Sequence, residues 1–125
     1  MSKTKNKKGA PGRALVELVL SSLEELKAEA ICQLDVRHLT SVTDVMIIAN
    51  GRSTRHVRAV AIALVESCKK AQYMPLGVEG ADGGEWVLID LGDVVVHVML
   101  PKVRDFYELE KLWDIDSVEN AEESS

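Results

Sequence analysis

Two acidic side chains, Asp90 and Asp93, flank a Leu-Gly pair, and together they could hold a magnesium ion. Paired carboxylates of this kind position magnesium against phosphate in nucleotidyl-transfer enzymes. However, Asp93 is predicted to belong to a tight turn, and strand alternation does not direct both carboxylates to the same side. A nucleotidyltransferase that uses them is therefore the alternative function, and we expect no metal site and no catalytic residue.

The segment IIANGRSTRHV, residues 47–57, could instead bind an anion. It predicts a strand followed by a helix, and a helix N-terminus with Arg52 and Arg55 beside it attracts phosphate. The segment has neither the GxxxxGK[ST] spacing nor the GxGxxG fingerprint of nucleotide-binding loops. We prefer a helix start that is capped by Ser53 and carries arginines on its surface. No cofactor is expected.

The three histidines are far apart in the sequence, at His38, His56 and His97. A hydrolytic triad would also need a nucleophile on a strained turn, and the chain has no GxSxG motif. We therefore assign the histidines structural roles.

Residues 86–99 predict a β-hairpin. Gly92 and Asp93 form its two-residue turn, because glycine tolerates the positive φ that tight hairpins require. Alternation then gives two faces, and the wholly apolar face is assigned to the core. That face consists of Val87, Ile89, Leu91, Val94, Val96 and Val98. The other face consists of Trp86, Leu88, Asp90, Val95, His97 and Met99. Its mixed composition suits a protein partner, and we expect Trp86 to be an interface anchor rather than a core residue.

The segment that follows Pro101 predicts a last helix over residues 102–113. Phe106, Leu109 and Trp113 lie in line and can serve the core. Tyr107 and Lys111 lie one turn apart on another face, where an exposed tyrosine is typical of an interface.

The remaining patterns complete the fold prediction. Helical spacing predicts helices over residues 13–30 and 54–71, and alternating or continuous apolar runs predict strands over residues 31–38, 45–49 and 75–80. The order is α-β-β-α-β-β-β-α. We therefore predict a single small α/β domain with a mixed sheet of about five strands and three helices.

Length and charge limit the other function classes. A chain of 125 residues suits one domain, and no apolar run reaches the roughly 18 residues of a membrane span. Cys32 and Cys68 match no CxxC pattern and are expected to be free thiols in the cytosol. Residues 14–113 carry 10 basic and 15 acidic side chains, which argues against a generic RNA-binding module. Residues 1–12 and 115–125 are predicted to be disordered basic and acidic tails.

Four segments, in this order, resemble the ribosomal silencing factor, or Iojap-like, family. They are DVMIIANGRSTRHV (44–57), PLGVEG (75–80), EWVLIDLGDVVVHVM (85–99) and YELEKLW (107–113). The resemblance covers residues 13–114, which we take as the family domain. It implies a fold related in shape to nucleotidyltransferases but without their catalysis.

The resemblance also implies a cytoplasmic protein that binds the large ribosomal subunit through the ribosomal protein numbered fourteen. Such a protein blocks joining of the two subunits and lowers translation when nutrients run short. The family's contact surface corresponds to Trp86 and Asp90 on the hairpin and to Tyr107, Glu108 and Lys111 in the last helix. A weak contact of the basic tail with ribosomal RNA and a homodimer away from the ribosome are left open. No membrane partner is expected.

Overall fold

The computed structural model describes residues 12–113, which form one five-stranded sheet and four helices. The strands are β1 (Glu29–Asp35), β2 (Val45–Asn50), β3 (Gly77–Glu79), β4 (Trp86–Asp90) and β5 (Val94–Met99). The helices are α1 (Arg13–Glu25), α2 (Thr54–Lys70), α3 (Pro101–Tyr107) and α4 (Leu109–Trp113). The strand order is β1-β2-β5-β4-β3, with β2 and β5 parallel and the other neighbours antiparallel. The predicted α/β class with a mixed five-stranded sheet is confirmed.

The β4–β5 hairpin has the register that alternation predicts. Trp86 lies opposite Met99, Leu88 opposite His97, and the turn closes where the Leu91 N–H donates to the Val94 carbonyl at 2.8 Å. Gly92 has a φ of +89°, a backbone conformation that residues other than glycine rarely adopt. The turn residue therefore fixes which side chains share a face.

One face of the sheet is covered by α1 and α2. The apolar hairpin residues Val87, Ile89, Val96 and Val98 are fully buried there, as predicted. Helix α2 contributes the buried residues Val57, Val60, Ala61, Leu64 and Cys68. It begins where the Ser53 hydroxyl accepts the His56 backbone N–H at 3.0 Å, so the predicted cap is confirmed. No helix within residues 12–113 has the length and apolar character that a bilayer crossing requires.

The first helix is shorter than predicted. It ends at Glu25 because Lys27 turns into the left-handed region, with a φ of +65°, and the Ala28 N–H donates back to Leu23. Ala30 was predicted to extend the helix, and that prediction was wrong. It lies in β1 with a φ of +50°, beside a shift in the pairing of β1 with β2.

The predicted last helix is divided in two. Glu108 has a φ of +48°, and its N–H donates to the Arg104 carbonyl, so α3 ends there and α4 begins at Leu109. A non-glycine residue in this conformation costs roughly 1 kcal/mol, which the surrounding contacts must offset. Phe106, predicted to serve the core, is instead 78% exposed, while Leu109 packs against buried residues. The side chain of Trp113 lies outside the described part of the chain.

Candidate docking surface

The second face of the sheet, where the mixed residues lie, is more buried than alternation predicts. A small apolar cluster of Val36, Met46, Ile48 and Met99 forms on it. Val103 of α3 and Leu109 of α4 pack against this cluster, so the two short helices cover one end of the face. Because of this cover, Met99 is fully buried and His97 is only 6% exposed, although both were predicted on the partner-facing side.

Trp86 is half-buried at the border of this cluster, and its indole is fixed by a hydrogen bond. The indole Nε1–H donates to Nδ1 of His97 at 2.8 Å. Nδ1 must therefore be unprotonated, so the neutral imidazole carries its proton on Nε2. Burial lowers the pKa of His97 to about 4, which keeps the ring neutral at physiological pH. The predicted anchor Trp86 is thus also part of an internal packing unit.

The outer side of Trp86 bears an aromatic patch, which we define as Trp86, Phe106 and Tyr107. The ring centroids of Trp86 and Tyr107 are 4.9 Å apart, and Phe106 meets Tyr107 edge to face, also at 4.9 Å. Tilted and edge-to-face pairs at this distance are favourable arrangements of aromatic rings. Tyr107 is 52% exposed, so the patch offers two large rings to solvent. Phe106 is the member that the sequence interpretation missed.

The predicted charged residues lie around this patch at different distances. Glu108 and Lys111 form an exposed ion pair at 3.2 Å, directly after Tyr107. Asp90 shares the face with Trp86 but lies four residues along β4, about 13 Å away at strand spacing. Its Oδ1 accepts the Gly92 N–H at 2.9 Å, so the carboxylate also stabilises the hairpin turn. The structure therefore gathers Trp86, Tyr107, Glu108 and Lys111 and leaves Asp90 at the far end.

A buried arginine, which the sequence interpretation also missed, lies in the same helix as two of the patch residues. Arg104 is 9% exposed and donates to the Ala30 carbonyl at 2.7 Å and to Oδ1 of Asn50 at 2.8 Å. It also donates to Oε2 of Glu110 from Nε and Nη2, at 3.2 Å and 2.6 Å. The hydrogen bonds from Arg104 lower the pKa of Glu110. No local pattern signals this residue, because its partners lie in β1, β2 and α4.

The two alternative sites have less support. Asp90 is engaged in the turn, and the described residues contain no group of three or more His, Cys, Asp or Glu placed for a metal ion. At the start of α2, the Arg52 guanidinium contacts the Lys27 carbonyl at 3.4 Å and Glu29 at 3.7 Å. His56 accepts the Arg52 backbone N–H at 2.9 Å, and its other ring nitrogen lies 3.0 Å from the Leu26 carbonyl. These contacts favour the capped helix start over an anion site.

The fold and this surface define a class: a small mixed α/β domain that presents aromatic rings and charged groups on one sheet face. Comparison with known proteins narrows the class. The sequence profile of the family described as "Ribosomal silencing factor during starvation" matches residues 10–125. The chain belongs to this ribosomal silencing factor family.

Individual relatives agree with this assignment. The ribosomal silencing factor RsfS of Chromobacterium violaceum is 48% identical over 97 residues, which span 78% of this chain and 80% of that protein. A crystal structure of a protein from Chromobacterium violaceum aligns with a TM-score of 0.80 at 46% identity and covers 82% of this chain and 85% of that one. A mouse protein named "Mitochondrial assembly of ribosomal large subunit protein 1" is 36% identical over 110 residues, or 84% of this chain and 47% of its own length.

Proposed function

We propose that this protein binds the large ribosomal subunit through the ribosomal protein numbered fourteen. Bound there, it would prevent the small subunit from joining and so repress translation, above all under nutrient limitation. The observation that carries the proposal is the exposed aromatic patch of Trp86, Phe106 and Tyr107 on a chain of the silencing factor family. The name of the mouse relative supports the large subunit as the partner.

The proposed mechanism is steric and involves no catalysis and no cofactor. A folded domain that occupies the joining face of the large subunit would exclude the small subunit by volume alone. The surface suits this task because aromatic residues at the centre of an interface contribute most of its binding free energy. The charged residues Asp90, Glu108 and Lys111 would form its rim and give orientation. The protein would act in the cytoplasm, where assembled ribosomes exchange their subunits.

Two further contacts belong to the proposal but are secondary to it. The basic residues before Gly12 would add a weak, salt-sensitive contact with ribosomal RNA. Away from the ribosome, a second copy of the chain would bind to the aromatic patch and form a homodimer. Sedimentation of the free protein over a range of concentrations would show such a dimer.

Gradient sedimentation with separated subunits tests the main proposal. We expect the protein to migrate with the large subunit and not with the small one, and to reduce the yield of joined ribosomes when both are mixed. Equal migration with both subunits, or with neither, would refute it. Magnesium-dependent turnover of nucleoside triphosphates that disappears in Asp90→Asn would show instead that the protein is an enzyme.

A further inference from the structure

We infer that Arg104 is a positioning residue: it holds α3 and α4 against the sheet so that Tyr107 packs on Trp86. This inference deepens the proposed function, because the pair of rings is the centre of the proposed docking surface. Its consequence for binding rests on that function, but the placement of Tyr107 can be measured without any partner.

The first observation is the number of elements that a single guanidinium joins. Arg104 lies in α3, and its three acceptors lie in β1, β2 and α4, at Ala30, Asn50 and Glu110. Five N–H donors in a rigid plane allow one arginine to satisfy acceptors in several directions at once. A buried cation without such partners would be strongly unfavourable. Arg104 can therefore lie buried only because these acceptors surround its guanidinium.

The second observation is the position of the helix break. Tyr107 is the last residue of α3, and Glu108, with a φ of +48°, separates it from α4. Helix α4 has only five residues, which is too short to be stable alone in water. The bond from Arg104 to Glu110 spans the break and ties α4 back to α3. Arg104 and Glu110 thereby set the direction in which the chain leaves Tyr107.

The third observation is that Arg104 contacts two residues with a positive φ, one through its guanidinium and one through its backbone carbonyl. Ala30, whose carbonyl accepts one of the bonds, has a φ of +50° and lies where the pairing of β1 and β2 shifts. The Arg104 carbonyl itself accepts the N–H of Glu108. Strained residues of this kind persist where surrounding contacts determine the conformation, and they concentrate at functional sites. Arg104 therefore supports the backbone conformation of both Ala30 and Glu108.

Arg104→Met tests the inference, because methionine keeps much of the side-chain volume and removes every donor. Arg58→Met is the matched control. Arg58 lies in α2 over the opposite face of the sheet, and it donates to the carbonyls of Asp82 and Gly83 at 3.2 Å and 3.5 Å. We expect Arg104→Met to move the NMR signal of the Trp86 indole N–H, assigned with the help of Trp113→Phe, because the ring of Tyr107 leaves its place. Affinity for the large subunit should fall at least about tenfold, whereas Arg58→Met should leave both readouts unchanged.

Two more variants keep the inference testable if Arg104→Met does not fold. Glu110→Gln leaves the bonds to Ala30 and Asn50 intact and removes only the charge that holds α4. The backbone N–H of Lys111 donates to the Glu108 carbonyl, and its hydrogen exchange should be faster in this variant. The variant should weaken binding to the large subunit less than Arg104→Met does. Arg104→Lys keeps the positive charge and should restore part of the affinity.

The outcomes separate the inference from the proposed function. A folded Arg104→Met protein with an unchanged Trp86 signal and an affinity within about twofold of wild type would overturn the inference alone. If the wild-type protein does not bind the large subunit, the proposed function fails. The indole signal then decides whether Arg104 places Tyr107.

Discussion

The indole N–H of Trp86 and Nδ1 of His97 are joined by a 2.8 Å hydrogen bond across the β4–β5 pair. The two residues are diagonal neighbours, since His97 lies directly opposite Leu88. The bond requires a neutral imidazole, so the placement of a surface tryptophan depends on a buried histidine that does not ionise.

The first prediction is a loss of stability in mild acid that is due to His97. The pKa of His97 is about 4 in the folded protein and about 6.5 in an unfolded chain, so between these values only the unfolded state takes up the proton. The free energy of unfolding should therefore fall as the pH decreases from 6.5 to 4, by at most about 3 kcal/mol from this group. Urea denaturation at several pH values measures it.

His97→Asn is the control for this prediction, because the Asn Oδ1 can accept the indole N–H but does not titrate. The difference in stability between wild type and this variant should narrow towards pH 4. An NMR titration of His97 with a midpoint near 6.5 would contradict the prediction.

The second prediction concerns Trp86→Ala. Since Trp86 contributes the inner ring of the aromatic patch, its truncation should weaken binding to the large subunit by about 2 kcal/mol or more. The half-buried ring also packs against His97 and the apolar cluster of Val36, Met46, Ile48 and Met99. The variant should therefore also lose folding stability, but less than the roughly 3–5 kcal/mol typical of a truncated core aromatic. Denaturation and binding are measured on the same variant. Normal binding by the folded variant would exclude Trp86 as an anchor.

The third prediction concerns Phe106→Ala. The side chain is 78% exposed and its removal costs mainly the edge-to-face contact with Tyr107, so the free energy of unfolding should fall by no more than about 1 kcal/mol. Affinity for the large subunit should fall roughly tenfold if Phe106 belongs to the docking surface. Ile62→Ala is the matched control, because Ile62 is a 59% exposed apolar residue on α2, over the other face of the sheet. Equal effects of the two variants on binding would mean that the aromatic patch is not the contact.

The fourth prediction separates the two roles of Asp90. Asp90→Asn keeps an oxygen that accepts the Gly92 N–H, whereas Asp90→Lys removes it, so only the lysine variant should lose about 1 kcal/mol of stability. If the opposing ribosomal surface is basic, both variants should bind more weakly, and the salt dependence of binding should decrease. Asp82→Asn, in the loop before β4, controls for net charge. Unchanged binding by Asp90→Asn would mean that Asp90 only stabilises the turn and does not contribute to docking.

The fifth prediction is that the segments outside the described residues are dispensable for folding. A chain of residues 12–114 should unfold at nearly the same urea concentration as the full protein. Gly12 is kept because its carbonyl accepts the Val16 N–H at the start of α1. A shortened chain that does not fold, or that loses subunit binding at physiological salt, would contradict this.

Some features of this fold could be predicted from local sequence because local chemistry determines them. The register of the hairpin follows from one glycine and from alternation, and the start of α2 follows from Ser53. The break at Glu108 could not be predicted, because glutamate has no preference for a positive φ. It depends on Arg104 and its partners far away in the chain. For the same reason Phe106 was assigned to the core, since helical periodicity holds only while the helix is continuous.

The parallel pairing of β2 with β5 also delays completion of the docking surface until late in synthesis. Val45 pairs with Val94 and Asn50 with Met99, so the centre of the sheet cannot close until nearly the whole domain is available. Long-range pairings of this kind make folding wait for the distant partner. The docking surface is built from β4, β5, α3 and α4, which are the last elements of the described chain. Under the proposed function, a ribosome is therefore never silenced by an unfinished copy of this protein.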